Sequence, residues 1–468
     1  MTDNRTFTLD DQLRFARLSG DYNPIHVDPV AARRLLFGKV VVHGVHLALW
    51  AMDRLVAQHP ALHSFAALRV NFDSPVGCLE DVKVHWSAGE GAIYSARILQ
   101  GERTVCRLRL NAGQGPAGAA MVPSSADENV CRDRTWTEVA TAEGKIPLRL
   151  PAETFELFPG LARFSAGQLA AMLAATRLVG MEAPGLHSLF SAIELAARED
   201  QPWAPDLTYG VRRADERFGL VDFAVDCGAL AGRISAFMRP APMRQKSMIQ
   251  LAGMVPAGEF SGQRALVVGG SRGLGEVTAK LLALGGARVT ISYSSGEGEA
   301  AAIAAEAGGM GASIDHVRLD VARDGMPPAG AEPWTHIYYF ASPKIAPNGR
   351  DEAFDADAFD LYRRFYVDGL ARLIAFAQRS GAPTATLWFP STVFIDTREK
   401  GFKEYAAAKI AAEQLAGWVS TVYPPLRCTF TRLPKLATDQ TQAIGTSSVA
   451  DNEQVMLPIL RGLAGKPA

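Results

Sequence analysis

Residues 264–283 constrain the fold of this chain more than any other stretch. Arg264-Ala265-Leu266-Val267-Val268 has the composition of a buried strand, and Gly269-Gly270-Ser271-Arg272-Gly273-Leu274-Gly275 leads from it into a helical stretch, Glu276 to Ala283. Such a unit cradles a pyrophosphate, because glycines let the backbone approach and the first helical amides meet the negative oxygens. Strands at 314–319, 334–340, 384–389 and 427–433 then alternate with helices at 354–379 and 402–421, the pattern of an α/β doubly wound parallel sheet. The strand at 287–292 ends in Tyr293-Ser294-Ser295-Gly296, with no carboxylate for the ribose 2'-hydroxyl of NAD. Arg272 stands in the turn, placed for a 2'-phosphate, so NADP(H) is the expected cofactor.

Tyr405 and Lys409 lie four apart on one helical face, where an ammonium is expected to lower the phenol's pKa and make Tyr405 a proton donor and acceptor near neutrality. Ser391, at the end of the preceding strand, is expected to hydrogen-bond the same substrate oxygen. Together with the cradle these residues resemble the short-chain dehydrogenase/reductases over 262 to about 440. The resemblance implies a Ser391, Tyr405, Lys409 triad and a cofactor site drawing on Gly269, Ser271, Arg272, Gly273, Leu274, Gly275, Asp320, Val321, Ala341, Tyr405, Lys409 and Thr438. Departures stand at Phe340-Ala341-Ser342-Pro343, where the family has Asn-Asn-Ala-Gly, and at Tyr366, where a fourth catalytic Asn is usual. Pro434-Lys435 replaces Pro-Gly, and the sheet is expected to be one strand short, with 451–463 as a helix.

The N-terminal third carries a second chemistry. Ser19-Gly20-Asp21-Tyr22-Asn23-Pro24-Ile25-His26-Val27-Asp28 places an acid, an amide and an imidazole within one bend, since Pro24 stops a helix from running through it. Asp28 followed by Pro29 reads as the cap of a helix near 29–36. This stretch resembles the signature of the MaoC-like, R-specific enoyl-CoA hydratases, and His43-Gly44 resembles that family's His-Gly pair. The resemblance implies a hot dog fold, Asp21 and His26 as the acid/base pair at C2 and C3 of an acyl thioester, Asn23 orienting the water, and the Gly44 amide holding the thioester oxygen.

A helix at 45–58, apolar almost all round, is expected to be wrapped by strands at 65–72, 81–87, 92–99 and 104–111. A fainter second copy follows: Gly185-Leu186-His187-Ser188-Leu189-Phe190 echoes Gly44-Val45-His46-Leu47-Ala48-Leu49, ahead of strands at 207–213, 220–226 and 231–238. Residues 168–175 stand where the Asp21 bend has no counterpart. The resemblance then implies an α+β double hot dog, with His46 and His187 packed on helix faces between its halves. The expected organisation is a catalytic hot dog unit at 1–115, a crossing linker at 116–145, a non-catalytic unit at 146–240, a linker at 241–262 and the reductase domain at 263–468. Within the second linker the cluster Arg244-Gln245-Lys246 reads as a solvated loop or a contact for a phosphopantetheine or carrier-protein phosphate.

A net charge of -1 over 468 residues gives no reason to expect nucleic acid or an anionic membrane as a partner. Five scattered cysteines without a C-x-x-C pair indicate neither a disulfide frame nor a metal site. With no leader and no long apolar run, a cytoplasmic protein is expected, and by family a homo-oligomer, dimer or tetramer. The two sites share a 3-hydroxyacyl thioester, so the expected activity is a bifunctional NADPH ketoreductase and dehydratase serving fatty acid or polyketide building. The reverse, hydration followed by oxidation with NAD, and a thioester-binding scaffold with a silent reductase half remain open, as does coenzyme A against acyl carrier protein.

Overall fold

The computed structural model describes residues 2–113, 130–323, 332–347, 353–379, 385–441 and 450–465. Of the expected features, residues 116–129 of the crossing segment and Thr384 lie outside them. The chain divides between Ala241 and Pro242 into two compact units.

In the first unit, β1 (Thr2–Thr6) precedes α1 (Leu9–Ser19), which opens on a reciprocal cap between Thr8 and Asp11. Next come α2 (Gly44–Gln58), β2 (Phe65–Phe72), β3 (Asp81–Ala88), β4 (Ile93–Gln100) and β5 (Arg103–Ala112). A second train repeats the order with β6 (Glu143–Pro147), α3 (Ala166–Arg177), β7 (Ser188–Ala197), β8 (Trp203–Asp215), β9 (Leu220–Gly228) and β10 (Leu230–Met238). All ten strands join one antiparallel sheet, in the order β1-β3-β4-β5-β2-β7-β10-β9-β8-β6. That order is the same read from either end, with β2 and β7 meeting at the centre. Both α2 and α3 are buried nearly all round, which is why neither shows a strong amphipathic period.

The second copy exists, but its register differs from the sequence reading. Gly185–Phe190 does not begin a helix; it runs into β7, because the buried helix of this half is the alanine-rich α3, some twenty residues earlier. His187 therefore sits ahead of a strand, with Nε2 3.1 Å from Asp133, and is not a helix-face residue. His46 does lie on α2, against Phe158 of the second half at 5.6 Å between ring centroids. The helix expected over 29–36 ends at Ala32, although Asp28 caps it through Val30 N (2.8 Å) and Ala31 N (3.0 Å).

The second unit contains β11 (Arg264–Val268), α4 (Gly273–Leu284), β12 (Arg288–Tyr293), α5 (Glu297–Gly309), β13 (Ile314–Arg318) and β14 (His336–Tyr339). These are followed by α6 (Ala356–Arg363), α7 (Leu370–Arg379), β15 (Ala385–Thr392), α8 (Lys403–Val422), β16 (Leu426–Leu433) and α9 (Asn452–Leu463). Six parallel strands are described, in the order β13-β12-β11-β14-β15-β16, so the strand order reverses between β11 and β14, where such folds bind ligands. Residues expected as a linker at 241–262 are part of this unit, since Met248, Leu251 and Phe260 are buried in its core. Lys246 of the basic cluster is tied to Glu453 and lies 3.6 Å from Asp451. Among the described residues no helix is long and apolar enough to cross a membrane.

Candidate active sites

The first site forms where both halves of the antiparallel unit meet. Gly20 ends α1 in the left-handed region (φ 72°), and that turn aims Asp21 inward to a position 2% exposed. Its Oδ2 accepts from the Thr176 hydroxyl (2.7 Å) and its Oδ1 from the Asn23 amide (3.2 Å). Thr176 closes α3, and α3 continues into a π-turn, Leu178–Glu182, whose Gly180 lies against the carboxylate. A Cβ on Gly180 would stand 2.1 Å from Asp21 Oδ1. Pro24 starts a single helical turn, Pro24–Val27, and His26 on it is half-buried. Its Nδ1 lies 2.8 Å from the Val41 carbonyl, which can only accept, so Nδ1 carries the proton and Nε2 is left as a base.

His43 stacks on His26 at 3.9 Å and is held by the Asp21 carbonyl at Nε2 (3.0 Å) and by Gln12 at Nδ1 (2.9 Å). One ligating atom from each of Asp21, His26 and His43 lies within 4.8 Å of the others. Burial raises the Asp21 pKa, opposed by the His26 charge and the Thr176 hydrogen bond. Burial lowers the pKa of His26, opposed by Asp21, and holds His43 well below the usual histidine range. The Gly44 amide opens α2, where no intrahelical acceptor exists for it, and a Cβ there would meet the Phe72 ring at 2.9 Å. Asp21, His26 and His43 are thus gathered at one place, and Gly44 is the next residue in the chain after His43.

Asn23 does something other than expected. Its Nδ2 donates to the carbonyls of Gly180 (2.9 Å) and Gly185 (3.0 Å), and its Oδ1 accepts from Ile25 N (3.2 Å). Both donors are spent on the second half, so Asn23 clasps the halves together and is not free to orient a water.

In the second unit the glycines meet their geometric demand. Gly269 (φ 80°) passes 2.9 Å, measured from an added Cβ, from the amide of Ala341, and a Cβ on Gly275 would lie 2.2 Å from the Gly269 carbonyl. Thr438 lies beside Gly273, within 3.7 Å of the same construction. Asp320 turns the chain after β13 by accepting from Ala322 N (2.9 Å), and the Val321 carbonyl accepts from Arg372. Arg272 caps α4 by its backbone and lies 3.6 Å from Asp439. Ser271 is buried in the same turn, with Leu274 in the first turn of α4.

Tyr405 and Lys409 share α8, but the ammonium does not sit on the phenol. Lys409 Nζ donates to the Pro390 carbonyl (2.7 Å) and rests 3.8 Å from the centroid of the Tyr366 ring, against 5.9 Å for Tyr405. Tyr405 is enclosed by Tyr362, Tyr366 and Phe394, and burial pushes its pKa up to about 12 instead of down. Lys409 is brought down to about 7, by burial. The Ser391 hydroxyl donates to Glu413, which Arg432 also grips at 2.9 and 2.6 Å. Successive residues of a strand face opposite ways, so Thr392, not Ser391, is the hydroxyl that hydrogen-bonds Tyr405. Tyr366 lies in a second π-turn, Arg364–Gly369, with its hydroxyl 2.6 Å from Ser342 Oγ.

Residues 1–105 match the MaoC like domain, and residues 263–328 match short chain dehydrogenase. This chain joins a MaoC-like domain to a short-chain dehydrogenase domain. Over 73 residues it is 38% identical to the Peroxisomal multifunctional enzyme type 2 of Drosophila melanogaster, covering 15% of this chain and 12% of that protein. Over 76 residues it is 32% identical to the mitochondrial 3-hydroxyacyl-[acyl-carrier-protein] dehydratase of Arabidopsis thaliana, covering 16% and 45%. The chain therefore spans less than half the length of either relative. A short chain dehydrogenase from Burkholderia cenocepacia in complex with NADP is similar at 21% identity and TM-score 0.38, covering 44% of this chain and 91% of that one.

Three groups of the MaoC-like domain's site escaped the sequence reading: Thr176, Gly180 and Arg239. Arg239, 2% exposed, donates to the Leu186 carbonyl, and its charge helps to lower the pKa of His26. No local motif marks it, because it directly follows β10, between Met238 and Pro240. Gly180→Ala is expected to cost about 1–3 kcal/mol of stability by overpacking, and to displace the Asp21 carboxylate. Denaturant unfolding alongside a thioester hydration assay tests both.

The short-chain dehydrogenase domain carries a pH signature. Lys409 titrates near 7 when folded against 10.5 as its ordinary value, so the folded state holds fewer protons between those limits. Its contribution to stability is therefore complete above 10.5 and is lost as pH falls through 7. Lys409→Met removes this dependence, so its Tm gains on the wild type as pH drops from 9 to 6 in melting curves taken across that range, which is set by the two values above.

Proposed function

We propose that the protein is a bifunctional enzyme in which the short-chain dehydrogenase domain reduces a 3-oxoacyl thioester with NADPH and the MaoC-like domain dehydrates the 3-hydroxyacyl product to a 2-enoyl thioester. The observation that carries this reading is the grouping of Asp21, His26 and His43 within 4.8 Å of one another, with His26 Nδ1 committed to the Val41 carbonyl and the Gly44 amide opening a helix directly after His43. The palindromic order of the sheet, with one buried helix per half, supports a double hot dog.

In the dehydratase step the Gly44 amide, at the positive end of α2, holds the thioester oxygen as it gains charge. His26 Nε2 removes the C2 proton. Asp21, whose raised pKa favours the protonated form, gives a proton to the departing C3 hydroxyl. Water leaves and the 2,3 double bond remains.

The turn at 269–275 fits a dinucleotide, because a Cβ at Gly269 or Gly275 would fill the space that the backbone needs there. Arg272 and the run Ser294-Ser295-Gly296 directly after β12, which holds no carboxylate, favour a 2'-phosphate. A nicotinamide held there would supply hydride to C3. Tyr405 protonates the resulting oxygen and Thr392 fixes the phenol, while Lys409 is held on the Pro390 carbonyl, 5.9 Å from the centre of the Tyr405 ring.

A second reading, a domain that binds cofactor and thioester without turnover, is favoured by the Tyr405 pKa of about 12 and by Tyr366 in place of the family's Asn. Incubation with NADPH and a short 3-oxoacyl thioester, read by nicotinamide oxidation and product mass, separates the readings. Enoyl product supports the first; cofactor binding without oxidation supports the second. A clear preference for NAD with 3-hydroxyacyl thioesters would reverse the direction.

A further inference from the structure

The geometry points to the outer face of the ten-stranded sheet as a docking surface for an acidic helix of a partner protein. Residues such as Leu68, Leu108 and Leu195 are buried on the helix side, so the alternate residues of the same strands face outward. There a groove of about 960 Å3 crosses the sheet, lined by Arg69, Arg109, Arg198, Arg212 and Arg233 against the two carboxylates Glu194 and Asp226, the latter paired with Arg198 at 2.6 Å.

Strand register arranges part of this charge in a line. Arg109 on β5 stands opposite Arg69 on β2, Arg69 opposite Glu194 on β7, and Glu194 opposite Arg233 on β10. Like charges directly opposed across a strand pair weaken a sheet, so the Arg69 and Arg109 pairing has a cost that folding does not explain. Glu194 is shared by Arg69 (3.3 Å) and Arg233 (3.0 Å), while Arg109 has no carboxylate partner among the described residues. Three guanidinium groups thus face one carboxylate, in a chain whose net charge is -1. Their side chains are accessible, Arg69 at 60% and Arg233 at 41%.

Two residues along each strand the outward positions are small: Ala67 pairs with Ala196, and Ala196 with Ala231. A basic row beside an alanine row fits an amphipathic helix with an acidic stripe and a small apolar one. Strands lie about 4.8 Å apart, so Arg109 to Arg233 spans roughly 14 Å. At 1.5 Å per residue, that is the reach of carboxylates on one face over about ten helical residues. Arginine forks take carboxylates bidentately, which favours a row of Asp or Glu as the counterpart. A second copy of this chain would present the same cations and repel.

The test is fluorescence anisotropy of the full chain against a labelled helical peptide of about 14 residues, with Glu at four positions of one face and Ala beside them, and the same peptide with Gln for Glu. Binding of the Glu peptide is expected to fall at least about tenfold in the Arg69→Glu, Arg233→Glu double variant and on raising salt, as for charge-steered interfaces. Arg109→Gln, which leaves both Glu194 pairs intact, is expected to give a smaller loss in the same sense. Unchanged Tm and unchanged thioester hydration show that the variants remain folded. Equal binding of the Gln peptide, or equal binding by the double variant, overturns the proposal. So does binding of inorganic tripolyphosphate to the same arginines when the peptide does not bind, which would make the groove a small-anion site.

Discussion

Replacing Asp21 with asparagine lowers the turnover of 3-hydroxyacyl thioester dehydration by roughly 10²–10⁴-fold, the usual worth of a positioned proton donor, while NADPH oxidation is unchanged. The substitution is nearly isosteric: the amide oxygen in the Oδ1 place still accepts from the Asn23 backbone N–H, and the NH2 in the Oδ2 place can donate to the Thr176 hydroxyl, which rotates to accept, so the loss reports the proton and not the fold. Stability moves the other way. A carboxyl whose folded pKa is raised contributes stability that is present below its unfolded pKa and lost as pH rises through the folded one. Asp21→Asn is therefore expected to melt above the wild type at pH 8, with the gap closing as pH falls into the carboxylate range. Parallel assays of enoyl formation and of Tm against pH check the pair, and an active Asp21→Asn enzyme would sink the assignment.

Tyr405→Phe is expected to reduce hydride transfer to 3-oxoacyl thioesters by a similar roughly 10²–10⁴-fold, with cofactor binding retained. The more discriminating comparison is between adjacent hydroxyls. Thr392→Val removes the hydrogen bond to Tyr405 and is expected to follow it, whereas Ser391→Ala empties only the Glu413 contact. Stopped-flow nicotinamide absorbance of the three variants decides. If Ser391→Ala is the damaging one, the assignment of Thr392 fails.

What could be read in advance depended on whether a signal was local. Strands such as Phe65–Phe72 and the turn at 269–275 fell where alternation and glycine spacing placed them, because each is specified by its own residues. The register of the second half was missed because α3 is apolar on every side. A helix without a polar face has no phase, and Gly185–Phe190 offered a superficial likeness to Gly44–Leu49 instead. Asp21, His26 and Gly44 were legible as a motif, but the groups that hold the Asp21 carboxylate, Thr176 and Gly180, come from 155 residues away or more and follow no pattern. Ser391 and Thr392 are indistinguishable by composition; only the phase of the pleat separates them.

The two π-turns, Leu178–Glu182 and Arg364–Gly369, stand one at each site, and each is in effect a helix lengthened by a single residue. Removing that residue would restore an ordinary helix and move the side chains of the turn itself. Gly180 would no longer back the carboxylate, nor Tyr366 the ammonium of Lys409. In most proteins a one-residue deletion is borne by a loop and broken by a strand. In this chain a one-residue deletion in either of these helical turns is expected to disturb the site beside it.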